Sequence, residues 1–95
     1  MASLLPLRFR MLHFFSTVSE ASANDLLEGL KSEYGSERQF SKKNFIEHLL
    51  TMKENGIIDE TKVELDNSGD LCIYYAINDE GRSLLKKYLP KSWKA

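Results

Sequence analysis

Few side chains in this sequence have the chemistry of nucleophiles or metal ligands, and those few lie far apart. The chain has one cysteine, Cys72, and two histidines, His13 and His48, at no spacing that is typical of a metal site. It also lacks a glycine-rich phosphate loop and a recognisable nucleophile–histidine–carboxylate signature. We therefore expect no catalytic residue, no metal ion and no cofactor. Cys72 is predicted to be a small buried apolar residue, since free cysteines are usually buried.

Polar side chains gather instead on one face of a predicted helix between Phe40 and Ile58. Ser41 is a suitable N-cap, and Phe40 and Phe45 have the spacing of a hydrophobic staple. Asn55-Gly56 is predicted to end the helix, because both residue types tolerate a left-handed conformation. The side predicted to face the core carries Phe45, Ile46, Leu49, Leu50 and Met52. The other side carries Lys43, Asn44, Glu47, Thr51 and Glu54, with His48 at its edge.

Length and composition fit one soluble globular domain over residues 1–95. Hydrophobic residues make up 42% and charged residues 28%, which is ordinary for a domain with a single core. The net charge of −1 provides no overall basic field that would by itself indicate nucleic-acid binding. A single cysteine excludes an internal disulfide and fits a reducing compartment, so we expect a cytoplasmic protein.

The first residues imitate a secretory signal peptide only loosely. Their apolar run, from Met11 to Val18, is short, contains His13 and is followed by Glu20. We interpret the segment as a first helix that begins near Pro6 and ends at about Ser19. This helix is apolar nearly all round, which in so small a domain predicts a second buried face against another subunit. No stretch of the sequence is long enough to span a membrane.

A second helix is predicted between the first helix and the polar-faced one. Ser22 can cap it, with Asp25 at the capping-box position, although aspartate fits that position less well than glutamate. Leu26, Leu30 and neighbouring apolar residues form its core face, and Gly35 ends it. The polar connection that follows has the length of a turn between two crossing helices.

The C-terminal part of the sequence predicts a hairpin and a last helix. Apolar residues alternate between Ile57 and Ile77, and turn-forming residues from 66 to 70 interrupt them. Asn78 or Asp79 is predicted to cap the last helix, which Pro90 stops. The element order predicts an α+β, mostly α fold: a winged helix-turn-helix with three helices, a two-stranded wing and a C-terminal helix.

Two motifs in this arrangement resemble the winged-helix regulators of the PadR and MarR type. In those regulators a helix ends in a leucine, spacer, glycine, hydrophobic step, and a tyrosine, leucine, threonine, glycine, arginine pattern follows the wing. The first motif is matched by Leu49, Met52, Gly56, Ile57 and Ile58. The second is matched by Tyr75, Ile77, Asn78, Gly81, Arg82, Leu84 and Leu85, with Asn78 in place of threonine. The resemblance covers nearly the whole chain.

The resemblance implies a small regulator that binds double-stranded DNA as a homodimer and usually represses transcription. The third helix would enter the major groove, where Asn44 suits adenine and Lys42 or Lys43 suits guanine or phosphate. The residues expected to contact DNA are Arg38, Ser41, Lys42, Lys43, Asn44, Glu47, His48, Thr51 and Lys62. The dimer is expected to form through the first and last helices, at Phe9, Phe14, Phe15, Leu85, Tyr88, Leu89 and Trp93.

The predicted wing departs from the pattern of these regulators, whose wings usually carry arginine or lysine near the tip. Between Asp59 and Asp70 the chain has five carboxylates and only Lys62 as a cation, a local charge of −4. Such a hairpin would repel phosphates, which supply most non-specific affinity for DNA. An alternative therefore stays open, in which the domain binds another protein and not DNA.

Overall fold

The computed structural model describes residues 6–36 and 40–90, and these residues form four helices and three strands. The helices are α1 (Leu7–Ser16), α2 (Ala23–Tyr34), α3 (Lys42–Glu54) and α4 (Asp79–Tyr88). The strands are β1 (Ala21–Ser22), β2 (Ile58–Leu65) and β3 (Leu71–Ile77). This order confirms the predicted α+β winged-helix architecture, in which β2 and β3 form the wing. Arg38 and Trp93 lie outside the described residues.

Side-chain caps begin three of the helices at the predicted residues. The Ser22 hydroxyl accepts a hydrogen bond from the Asp25 amide at 3.3 Å, and the Asp25 carboxylate accepts from the Ser22 amide at 2.9 Å. This reciprocal pair completes the predicted capping box. Ser41 caps α3 by accepting from the Asn44 amide at 3.2 Å. Asn78, and not Asp79, caps α4.

The first helix is shorter than predicted. It ends at Ser16, about one turn before the expected end near Ser19, and Thr17 is its C-cap. At this helix end the Phe14 carbonyl accepts hydrogen bonds from the Thr17 hydroxyl at 2.7 Å and from the Thr17 amide at 3.0 Å. From Thr17 the chain turns, and it is extended by Ala21, where β1 begins.

The step from α3 into β2 contains one left-handed residue. Asn55 stays right-handed at φ −76°, whereas Gly56 has φ 77°. Glycine adopts that conformation without steric cost because it has no Cβ. Gly81, at the start of α4, packs so closely on the Ile57 carbonyl that an added Cβ would overlap it. Gly56 therefore allows the turn from α3 into β2, and Gly81 allows α4 to pack closely against that turn.

The sheet has a third strand that the sequence did not predict. Its strand order is β1-β3-β2, and both pairings are antiparallel. In the short β1 strand, Ala21 lies opposite Tyr75 and Ser22 lies opposite Tyr74. The predicted two-stranded wing is therefore the outer part of a three-stranded sheet. Both β1 and β2 are therefore edge strands, and the pairing of β2 with β3 is interrupted by a bulge between Glu60 and Lys62.

The core lies between the helices and one face of this sheet. Its largest fully buried members are Tyr34, Phe15, Phe45, Met11, Leu12, Leu26, Leu30, Leu49, Met52 and Ile58. The prediction that Ile46 and Leu50 face this core is wrong, because 43% and 46% of their surfaces are exposed. Both lie at the edge of the apolar side of α3, beyond the part that the other elements cover. Cys72 is half-buried, so the prediction of a buried thiol is also wrong.

No helix in the described part of the chain has both the length and the apolar character needed to cross a membrane.

Candidate nucleic-acid interface

The side of α3 that faces away from the core is open to solvent. Lys42, Lys43 and Glu47 are exposed, and Asn44 and Thr51 are half-buried. The Thr51 hydroxyl donates a hydrogen bond to the Glu47 carbonyl at 3.0 Å. Arg8 of α1 and Asp66 of the wing border this face.

A polar cavity of about 330 Å³ lies along the same helix, and a residue from α1 also lines it. Its walls are formed by Arg8, Asn44, Glu47, His48 and Thr51. Four of these five residues were expected to contact DNA, and the structure brings them together. Arg8 was not expected there. Only the fold brings it to α3, because 40 residues separate it from His48 in the chain.

Arg8 holds the imidazole of His48 in a defined state. Its guanidinium lies 3.2 Å (Nε) and 3.1 Å (Nη2) from His48 Nδ1, which accepts the hydrogen bond. The proton of the neutral ring is therefore on Nε2, which is buried and has no hydrogen-bond partner among the described residues. Burial and the Arg8 cation both hold the pKa of His48 below its usual value of 6.5. The lowered pKa favours the uncharged imidazole at neutral pH.

Lys62 lies on the wing but is already engaged by carboxylates. Its ammonium is 2.9 Å from Glu20 and 3.1 Å from Glu64, and it lies 4.5 Å from the centre of the Tyr74 ring. Hydrogen bonds to the two carboxylates raise the pKa of Lys62. The Lys62 side chain is 47% exposed, so these are surface ion pairs, which can open at a small cost. The two carboxylates weaken the attraction of Lys62 for a phosphate, and its contact with DNA stays a prediction.

The acidic tip of the wing lies beside the start of α3. The Asp66 carboxylate is 3.8 Å from the Lys42 ammonium. It also accepts hydrogen bonds from the Ser68 hydroxyl (2.7 Å) and from the Ser68 and Asp70 amides (2.9 and 3.0 Å). These bonds, together with Lys42, lower the pKa of Asp66. The tip is thus an ordered, ionised turn that neutralises part of the charge at the N-terminus of α3.

The residues expected at a dimer interface divide into two groups. Phe15 is fully buried and Leu85 is 6% exposed, so both belong to the protein's own core. A second subunit could not contact them in this fold, and we remove them from the expected interface. Phe9, Phe14 and Leu89 are half-buried, whereas Tyr88 is exposed. Phe14 packs on Gly29 of α2.

An open apolar cavity of about 510 Å³ lies between α1 and α4. Its apolar walls are formed by Pro6, Phe9, Leu12, Ile57, Leu84, Tyr88 and Pro90. Two of the residues expected at the interface, Phe9 and Tyr88, therefore line one common surface. The described residues contain no group of three or more histidine, cysteine or acidic side chains that could hold a metal ion.

Solved structures of known proteins share this architecture. No protein-family model matches the sequence, and no curated protein matches it either. A PadR-like transcriptional regulator from Bacillus cereus superposes with a TM-score of 0.66 at 23% identity, over 85% of this chain and 75% of that one. PadR of Bacillus subtilis, solved in complex with operator DNA, superposes with a TM-score of 0.71 at 19% identity, over 90% of this chain and 47% of that one. Neither neighbour is a MarR protein. At these identities the similarity establishes the fold, and the chain has the winged-helix fold seen in PadR-like transcriptional regulators.

Proposed function

We propose that this protein is a DNA-binding transcriptional regulator, a repressor that acts as a homodimer and inserts α3 into the major groove. The observation that carries the proposal is the open polar face of α3, from Lys42 to Thr51, in a fold shared with a regulator solved on operator DNA. The recognition helix of such folds reads base edges with side chains near its N-terminus. Residues 1–95 act as one domain in this proposal.

Each exposed side chain of α3 has a role that its chemistry allows. Asn44 is suited to adenine, whose N6 and N7 can pair with a side-chain amide, and Glu47 can accept from the amino group of cytosine. Lys42 and Lys43 are suited to guanine or to phosphates, and the methyl group of Thr51 suits that of thymine. Ser41 and His48 flank these residues, and Arg38 precedes them in the chain. We add Arg8, whose guanidinium borders the same cavity.

The ion pair between Lys42 and Asp66 must open before Lys42 can bind a phosphate. Both side chains are on the surface, and their closest charged atoms are 3.8 Å apart. Exposed pairs of this kind contribute only about 0–1 kcal/mol, so the cost of opening is small compared with a charged contact to DNA. The acidic wing tip therefore weakens the proposed binding without preventing it.

The proposal is tested by selecting bound duplexes from a random oligonucleotide pool and titrating the enriched duplex at several salt concentrations. We expect affinity to fall steeply as salt rises, because each neutralised phosphate releases counterions. The variant Lys42→Glu/Lys43→Glu should lose binding. For each phosphate contact that is lost, the log–log salt slope should become shallower by about 0.9.

The matched control is Lys86→Glu/Lys87→Glu, which changes the net charge by the same amount at exposed positions of α4. This control should keep most of the affinity, since the charges changed are not on α3. Equal losses in the two variants would mean that binding follows net charge and not the α3 face. The absence of any enriched duplex at low salt would reject DNA binding altogether.

A second function, a protein-interaction module without DNA binding, is favoured by the chemistry of the exposed part of α3. Besides Lys43, its outward positions include Ile46, Glu47, Leu50 and Glu54, all exposed. From residue 42 to residue 70, four lysines face seven carboxylates, a net charge of −3. A surface with this net negative charge repels the phosphates of DNA, whereas it attracts a basic protein partner. The salt-dependent DNA titration separates the two functions.

A further inference from the structure

Exposed apolar side chains are concentrated on one side of this molecule. Among the described residues, the exposed large hydrophobic side chains are those of Ile46, Leu50, Val63, Leu65, Leu71 and Tyr88. All except Tyr88 belong to α3 or to the wing. Leu65 and Leu71 are the most exposed, at 70% and 69%. Isolated apolar residues on a surface are ordinary, but a contiguous group of them marks an interaction site.

These side chains border one groove between α3 and the inner face of the wing, which we call the α3–wing groove. The groove has a volume of about 230 Å³, and its apolar walls are formed by Ala23, Ile46, Leu49, Leu50, Leu71, Ile73 and Tyr75. The remaining exposed residues extend it along β2, because Val63 lies opposite Ile73 and Leu65 lies opposite Leu71. Directly opposed residues in antiparallel strands project from the same face of the sheet.

The rim of the α3–wing groove has a net negative charge. The adjoining cavity beside Leu71 is bordered by Glu47 and Asp70 and also by Lys42 and Lys43, and Asp66 at the wing tip adds a third carboxylate. Lys42 lines the groove itself, but its ammonium is paired with Asp66 at 3.8 Å. A partner that buries its apolar side chains here would bring its own flanking charges against these carboxylates. Complementary charge at such a rim favours a basic partner.

We propose that the α3–wing groove binds a segment of another protein in which apolar residues are flanked by lysine or arginine. The groove has room for a large apolar side chain, and Leu65 and Leu71 extend the contact on the wing. A second copy of this chain, docked symmetrically, would bring two rims of net negative charge together, which is unfavourable. A head-to-tail arrangement forms a closed ring only if the rotation between neighbouring copies divides a full turn evenly. With any other rotation it forms an open chain of copies. The inference goes beyond the proposed function and does not depend on DNA binding.

The test begins with selection from a phage-displayed library of random peptides against the full chain. One enriched peptide is then synthesised with a fluorescent label and titrated by anisotropy. We expect the enriched peptides to combine apolar residues with lysine or arginine. Affinity should fall by at least about tenfold in Ile46→Ser/Leu50→Ser, since two apolar contacts are lost. It should stay unchanged in Tyr88→Ser, which removes the exposed apolar side chain that lies away from the groove.

A cysteine placed in the groove provides an independent readout of position. The native Cys72 does not serve, because it alternates with Leu71 and Ile73 along β3 and its side chain projects from the other face of the sheet. In the variant Cys72→Ser/Val63→Cys, a bound peptide should slow alkylation of the introduced thiol by iodoacetamide, since Val63 lies opposite Ile73. Circular dichroism checks that Ile46→Ser/Leu50→Ser remains folded. If it does not, the single variant Leu71→Ser, at a side chain that is 69% exposed, replaces it.

Several outcomes would overturn the proposal. Enriched peptides without basic residues, equal affinity for wild type and the groove variants, or no protection of the thiol introduced at position 63 would each do so. Self-association of the wild type that disappears in Ile46→Ser/Leu50→Ser would show that a second copy occupies the groove. The peptide titration contains no DNA, so failure of the proposed DNA binding would leave its result unaffected.

Discussion

The contact between Arg8 and His48 joins the start of α1 to the polar face of α3. Two guanidinium nitrogens lie within 3.2 Å of His48 Nδ1, and the ring packs edge-on against Phe45 with its centroid 6.4 Å from that of Phe45. The histidine therefore acts as a neutral acceptor between a cation and the core. This arrangement fixes which ring nitrogen carries the proton, and it orients Arg8 beside Asn44 and Thr51.

Replacing Arg8 by methionine should raise the pKa of His48. Burial is the larger cause of its lowered pKa, and methionine preserves most of that burial while it removes the nearby positive charge. The pKa should therefore move part of the way back toward 6.5. Titration of the imidazole signals by NMR measures the change. His13 is the internal control, since its lowered pKa arises from burial and Arg10 and should not respond.

The same two imidazoles should make stability depend on pH. Their pKa values in the folded protein are below 6.5, whereas the unfolded chain binds protons near 6.5. The unfolded state therefore gains protons first as pH falls, so the free energy of unfolding should decrease from about pH 7.5 to about pH 5.5. Most carboxylates remain ionised over this range.

Urea unfolding at several pH values measures this dependence. The double variant His13→Gln/His48→Gln should flatten it, because glutamine does not titrate. A variant that retained the full wild-type slope would assign the pH dependence to other groups.

At the level of single residues, the sequence predicted the polar side chains of α3 but not their partners. The engagement of Lys62 by Glu20 depends on how the loop after α1 passes the wing, and 42 residues separate the two in the chain. Arg8 likewise lies far from His48 in sequence. Helical spacing places residues on a common face, but it carries no information about contacts between distant elements.

Among the elements, α3 was predicted most completely, because its signals are local. Ser41 caps it as predicted, and the Phe40 and Phe45 rings meet edge to face with centroids 5.2 Å apart. The spacing of the apolar residues could not show which edge of the wide apolar side of α3 the core would cover. Strand β1 was missed for a related reason, since an alternating pattern cannot be recognised in two residues.

Two neighbouring leucines on α3 test the orientation of the helix directly. Leu49 is 2% exposed and Leu50 is 46% exposed. We expect Leu49→Ala to lower the free energy of unfolding by about 2–5 kcal/mol, because it leaves a cavity in the core. Leu50→Ala removes the same atoms and should cost less than about 1 kcal/mol, since much of its side chain is already in water. Denaturant titrations give both values, and similar costs would mean that α3 is rotated from the orientation described here.

At the scale of the whole molecule, two apolar surfaces are present, and they differ in charge. The α3–wing groove has a net negative rim, whereas the charged residue that lines the cavity between α1 and α4 is Arg8. The α1–α4 cavity has the larger volume, about 510 Å³, and mostly apolar walls, so we propose this surface for contact between identical copies. Phe9 and Tyr88 line this surface, and half-buried Leu89 follows directly in the chain.

The proposed dimer is tested by placing the same charge on each surface in turn. Sedimentation at tens of micromolar, where specific homodimers usually persist, should show a dimer for the wild type. Tyr88→Glu should give a monomer, because burial of an unpaired carboxylate at an interface is costly. Leu50→Glu, the matched control, should remain dimeric, since Leu50 lies in the α3–wing groove. A monomer for Leu50→Glu and a dimer for Tyr88→Glu would place the contact between copies in the groove. A monomeric wild type would reject the homodimer, and with it the interpretation of α1 as a helix buried on two sides.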